Sequence, residues 1–172
     1  MLRRLALAIA LISTPTNVLS AEVAAEVADR DGTAIGTVVM RDTPSGQVHV
    51  VVMLENVTEG VHGIHIHETG DCSAADFTSA GGHLAGDREH GTMAEGGPHP
   101  GDLPNAHVGA DGRLRVEHFN GLLNLASEGP GAVLDADGSA FIVHAGPDDY
   151  TRQPSGNAGD RIACGVFTAT SD

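Results

Sequence analysis

The chain contains no lysine. All nine of its basic residues are arginine, set against 23 aspartates and glutamates, and the formal charge is −14. A surface this acidic argues against nucleic acid and against anionic membranes, both of which need basic side chains. It also bears on catalysis, because an anionic substrate is repelled at long range. Cysteine is nearly absent, with only Cys72 and Cys164. Once those two are committed to each other, no thiol remains for a zinc finger or an iron–sulfur cluster. There is no convincing helical period, no internal repeat and no inter-domain linker. No apolar run is long enough to span a bilayer as an anchor.

What is present begins with a leader. Met1-Leu2-Arg3-Arg4 is a basic start, Leu5 to Ile12 is a short apolar run, and Ser20 and Ala21 are small. This pattern predicts a cleaved secretory signal peptide over residues 1–20, with cut sites after Ser20 or Ala21, and a single domain over 21–172. The expected location is periplasmic or secreted. Losing Arg3 and Arg4 leaves seven arginines against 23 acids, a formal −16. In an exported chain two cysteines read as one disulfide, here closing a loop of about 90 residues. Asn56-Val57-Thr58 matches a glycosylation sequon, a single short match read as chance.

The mature sequence alternates strand and turn signals. Ala24 to Asp29, Ala34 to Met40, Val48 to Leu54 and Val61 to His67 are short and rich in β-branched residues. Arg30-Asp31-Gly32, Pro44-Ser45-Gly46 and Thr58-Glu59-Gly60 separate them. Ala106 to Gly109, Leu114 to Phe119, Ala140 to His144 and Ile162 to Thr168 complete about eight strands. The expected fold is all-β: an eight-stranded antiparallel sandwich or flattened barrel. Thr69 to Asn105 and Ala145 to Asp160 break the rhythm as two long polar loops, and loops of that length are usually functional or disordered.

Histidine is concentrated where the rhythm breaks. In Gly63-Ile64-His65-Ile66-His67-Glu68 two imidazoles sit at i and i+2 of a strand, on one face and roughly 6.5–7 Å apart at the Cα. That spacing suits two ligands of one ion. His83, His90, His99 and Asp102 follow in the first long loop, and His144 ends a second apolar run. Seven such residues exceed what one ion needs. Two four-coordinate ions need eight donors, which seven residues supply if one imidazole uses both ring nitrogens. Counting does not say which residue bridges.

These segments resemble the copper/zinc superoxide dismutases, most closely the type exported by bacteria. The matching stretches are Gly60-Val61-His62-Gly63-Ile64-His65-Ile66-His67-Glu68, Gly81-Gly82-His83, His90 with His99 and Gly101-Asp102-Leu103, Phe141-Ile142-Val143-His144-Ala145-Gly146, and Gly156 to Val166. They occur in family order across essentially the whole mature chain. The resemblance implies a Greek-key barrel that dismutes superoxide to dioxygen and hydrogen peroxide. His65, His67, His83 and His144 would be copper ligands, and His83, His90, His99 and Asp102 zinc ligands, with His83 shared. On reduction His83 would release copper and take up a proton. Asp148 would join the free nitrogens of His65 and His90, Arg161 would receive the anion, and Cys72–Cys164 would tie the ligand loop to the last strand.

The chain also departs from the family pattern. Gly81-Gly82-His83-Leu84-Ala85-Gly86 lacks the aromatic and proline expected after the shared histidine, and His83 to His90 is short. Gly146 and Pro154 stand where relatives carry steering lysines, which leaves Arg161, Arg152 and the metals to attract an anion. His62 matches a structural position. His49, His107 and His118 match no motif and are read as ordinary strand residues. A copper or zinc buffer, or a copper-delivery module, is the competing reading. Such modules tend to lose copper ligands or the arginine, and none is lost here. A zinc hydrolase would need an open zinc position. Superoxide is the expected partner, the family resemblance admits both homodimer and monomer, and no membrane contact is expected after signal cleavage.

Overall fold

The computed structural model describes residues 22–170. The leader expected over residues 1–20 therefore lies outside the described residues. Ten strands follow in chain order: β1 (Glu22–Asp29), β2 (Ala34–Asp42), β3 (Val48–Leu54), β4 (Gly60–His62), β5 (Ile64–His67), β6 (Ala106–Val108), β7 (Leu114–Asn120), β8 (Ala140–His144), β9 (Arg161–Val166) and β10 (Thr168–Ala169). Two of the eight expected strands are each divided in two, at Gly63 and at Phe167. Every ladder is antiparallel, and the main sheet runs β5-β8-β9-β1-β2-β3-β7, with β10 on β1. β4 and β6 form a second, two-stranded sheet. The chain passes directly from β4 into β5, which links the small sheet to the edge of the main one, and the whole is a curled, Greek-key half-barrel.

Alternation explains the core. Val48, Val50, Val52 and Leu54 of β3 point inward, as do Val23, Ala25 and Val27 of β1. On β5 the alternation fails, because all four residues are buried. Ile64 and Ile66 face the barrel core, while His65 and His67 lie on the opposite face, buried there as well. Gly63 marks the change of partner from β6 to β8, and a Cβ there would stand 2.9 Å from the Ala158 Cβ and 3.4 Å from that of Asp148. Only glycine lets the second loop lie this close to the strand.

The first long loop is ordered in two ways. Phe77, Ala80, Ile142 and Cys164 form a small second core outside the barrel, with Cys72 packed against it. The Cys72–Cys164 disulfide fastens the loop to β9. The loop also pairs with β5, the last strand of the main sheet. Ile66 N–H donates to the Gly101 carbonyl (2.9 Å), Leu84 N–H to the Ile66 carbonyl (2.8 Å) and Glu68 N–H to the Gly82 carbonyl (2.9 Å). An edge strand that would otherwise be open is covered by the loop that carries the remaining candidate ligands. A third long connection spans residues 121–139, and its Leu123, Leu125 and Val133 are buried in the main core.

Candidate metal centre

Strand geometry sets the first group of donors. His65 and His67 project from one face of β5, and His144 ends the adjacent β8, where the register with β9 shifts between Val143 and His144. His83 enters from the loop through a bridge opposite His67. One ring nitrogen of each is occupied. His65 Nε2–H donates to Asp148 Oδ2 (2.7 Å), His67 Nδ1–H to the Gly81 carbonyl (3.0 Å) and His144 Nδ1–H to the Gly159 carbonyl (3.0 Å). These contacts fix the tautomers and leave His65 Nδ1, His67 Nε2, His83 Nε2 and His144 Nε2 buried without a partner. Unsatisfied buried polar atoms are rare and call for an explanation. The four residues offer ligand atoms lying within 4.8 Å of one another, so one metal ion would satisfy all of them.

The second group is built around Asp102. Its Oδ2 accepts Gly91 N–H (2.8 Å) and His99 N–H (3.0 Å), which turns Oδ1 toward three imidazoles. His83 Nδ1 lies 2.9 Å from Oδ1, His90 Nδ1 3.1 Å and His99 Nδ1 3.3 Å. One oxygen facing three ring nitrogens makes a compact N₃O donor set, the chemistry of a tetrahedral zinc site. His83 belongs to both groups, through Nε2 in one and Nδ1 in the other.

Asp148 joins the two halves. Its Oδ1 accepts His90 Nε2–H (3.0 Å), opposite the bond from His65. Its own position comes from Asn105, whose Nδ2 donates to the Asp148 carbonyl (2.8 Å) and whose Oδ1 accepts Asp148 N–H (2.8 Å). Tyr150 N–H donates to Asp148 Oδ1 and Tyr150 Oη accepts Asn105 N–H (2.7 Å). Gln153 makes a two-way contact with the backbone of His90, at 2.8 and 2.9 Å. Gly156 takes φ +65°, and a Cβ there would fall 1.9 Å from Asp148 Oδ1 and 2.6 Å from His90 Nε2. The Asp148–His90 bond thus occupies the space of a side chain at Gly156.

Burial holds the four imidazoles of the first group neutral. It lowers His65 to about 3, against the hydrogen bond His65 donates to Asp148, and lowers His67 to about 2 and His144 to about 4. His83 is lowered for the same reason. Burial would raise the two carboxyls. Hydrogen bonds from His65, His90 and Tyr150 outweigh it and hold Asp148 at about 2; those from His83, His99 and Gly91 hold Asp102 well below the carboxylate range. Neutral imidazoles with free lone pairs beside ionised carboxylates are in the protonation states that metal ligation requires.

Arg161, at the start of β9, is clamped beside the first group. Nη1 donates to the Phe77 carbonyl (2.6 Å) and Nη2 to the Gly81 carbonyl (2.7 Å), the oxygen that also receives His67. Cys164, three residues on, carries the disulfide. Arg152 is turned toward Asp149 at 3.9 Å. Among the described residues the metal-ligand groups contain all seven histidine and aspartate residues singled out from the sequence, and neither His49, His107 nor His118. His49 instead faces Glu117 (2.7 Å) and stacks on Phe119. His62 is buried, with its two ring nitrogens against the His144 and Thr58 carbonyls. Sequence reasoning missed Asn105, Tyr150 and Gln153, and gave Gly156 a place in the last matching stretch but no role. Tyr150 is the only tyrosine and stands two residues after Asp148, which was a usable signal; Asn105 and Gln153 carry none.

The family model for copper/zinc superoxide dismutase matches residues 34–167. A Cu-Zn superoxide dismutase from Caulobacter vibrioides is 44% identical over 140 residues, covering 80% of each chain. One from Aquifex aeolicus is 39% identical, over 83% of this chain and 85% of that one. The crystal structure of a superoxide dismutase-like protein from Bacillus subtilis superposes with a TM-score of 0.79 at 38% identity, over 83% of this chain and 96% of that one.

Proposed function

The chain belongs to the copper/zinc superoxide dismutase family, and on that footing we propose a specific assignment of its centre and its location. It is an enzyme of superoxide dismutation with copper and zinc as cofactors. His65, His67, His83 and His144 hold copper; His83, His90, His99 and Asp102 hold zinc; Arg161 receives the anion. The observation that carries the assignment is His83, one imidazole presenting a nitrogen to each of two donor sets whose other ring nitrogens are already oriented.

Two superoxide anions and two protons yield dioxygen and hydrogen peroxide. When bound, copper supplies the one-electron couple and zinc a fixed positive charge beside the shared imidazole. The residues supply the rest. Arg161 offers the anion a guanidinium whose position is fixed by two carbonyls, so little reorganisation is needed on binding. His83 Nε2, when it is not a ligand, holds a proton within the site and delivers it to the reduced oxygen species. Asp148 holds His65 and His90 in the tautomers their ligation needs, the usual work of a carboxylate behind a ligating histidine. The disulfide and the sequence of the leader support a periplasmic or secreted enzyme, because such bonds persist in oxidising compartments.

Protein loaded with one copper and one zinc should consume superoxide rapidly, and Arg161→Ala should lower kcat/KM at least about tenfold with both metals retained. Retention of both metals without turnover would favour the buffer or delivery reading instead. Export is checked by the N-terminal mass of the processed protein in the extracytoplasmic fraction, expected to start at Ala21 or Glu22.

A further inference from the structure

A second arginine, from a distant part of the chain, lies against the Arg161 backbone. β1 pairs with β9 through Ala28–Cys164 and Asp29–Ala163, and the ladder stops there. The Arg161 carbonyl lies beyond its end. Arg30 supplies the missing donor, with Nε 2.7 Å from that oxygen. Its turn is rigid: Asp29 Oδ1 accepts Asp31 N–H (3.0 Å) and Thr33 N–H (2.9 Å), and Gly32 N–H donates to the Asp29 carbonyl (3.0 Å). Two exposed acids flank the same place. Asp160 Oδ2 is 3.9 Å from Arg30 Nη2. Asp76, next to the Phe77 carbonyl that receives Arg161, is within electrostatic reach of both arginines.

We propose that Arg30 tunes superoxide capture through its charge: its bond to the Arg161 carbonyl holds it beside Asp160 and Asp76, and it neutralises these two acids, which would otherwise repel the anion approaching Arg161. This rests on the reading of Arg161 as the receiving cation. The chain has no lysine for this task, and Arg152 faces its own acid, Asp149. The Arg30–Asp160 pair is solvent-exposed, with side chains 42% and 81% accessible. Such pairs contribute little to stability. Removing the charge therefore leaves the fold and the metals in place and changes only the field at the entrance.

The test compares kcat/KM and azide affinity in copper- and zinc-loaded parent, Arg30→Gln, Arg30→Lys, Arg30→Gln with Asp160→Asn, and Arg161→Ala, across ionic strength. At low salt Arg30→Gln should lose about two- to fivefold in both readouts. Lysine at this position, or Asp160→Asn in the Arg30→Gln background, should recover most of the loss. The deficit should vanish near 1 M salt, where the screening length is about 3 Å. In Arg30→Gln the rate should rise more with added salt than in the parent, whose own response is expected to be shallow or inverted for so acidic a chain. A parental rate in Arg30→Gln, a deficit that persists at 1 M salt, or a deficit explained by lost metal would overturn the proposal. Full activity in Arg161→Ala would instead overturn the reading on which it rests.

Discussion

His65, His67 and His144 stand on strands β5 and β8, whereas His90, His99 and Asp102 stand on a loop whose only regular element is the short turn Thr78–Ala80. The first three are placed by antiparallel ladders with Ile64, Ile66, Phe141 and Val143 anchored in the barrel core. The others are placed by hydrogen bonds to Asp102, Asp148 and Gln153, and those partners are themselves in loops. A ladder position is fixed by many cooperative contacts. A loop position is fixed by a few bonds, each worth roughly 0.5–1.5 kcal/mol, or more where a charge takes part. The strand half should therefore keep its shape without metal, while the loop half should depend on its carboxylates and on the metal itself.

The largest effect tests the division directly. His67→Ala should abolish dismutation and the copper signal in electron paramagnetic resonance. His99→Ala should chiefly lower zinc content and leave a recognisable copper signal. Equal loss of both metals in the two variants would show that the halves do not behave separately. A smaller effect is expected from the joint between them. Asp148→Asn should weaken metal binding about ten- to a hundredfold, zinc before copper. Gly156→Ala should do at least as much, because its Cβ would displace Asp148 from His90 and its backbone is left-handed. Competitive chelation reads both, and unchanged affinities would reduce Asp148 to an ordinary loop acid.

Much of this division was legible in the sequence, and the reasons are local. Two histidines at i and i+2 in a β-branched run can face only one way, so His65 and His67 followed from strand periodicity alone. The pairing of Cys72 with Cys164 followed from there being no other cysteine. The break at Gly63 was not legible, because a strand that changes partner keeps the same composition. Nor were Asn105 and Gln153, whose roles are hydrogen bonds spanning 43 and 63 residues of sequence. The chain's resemblance to its family assigned His83 as the shared ligand where counting donors could not.

Acid acts on the metal-free protein as a whole, and what it changes is stability. His65, His67, His83 and His144 are held below the ordinary histidine value in the folded protein. The unfolded chain therefore binds more protons below about pH 6.5, and stability of the metal-free protein is full above that pH and falls as pH drops toward the folded values. Each group contributes at most about 1.4 kcal/mol per pH unit. Asp102 and Asp148, held low, add stability that is present above the ordinary aspartate value of 3.8 and lost as pH falls toward their folded values. Denaturant melts between pH 8 and 4 give the slope, and a flat profile would mean that these imidazoles are not kept neutral by folding.

Seven side chains form two unlike donor groups joined by one imidazole, His83. Elemental analysis of the exported protein, combined with electron paramagnetic resonance of the same sample, tests it most directly. One copper and one zinc per chain are expected, with copper(II) in a tetragonal nitrogen field. One metal per chain, or two zinc ions that copper never replaces, would contradict it.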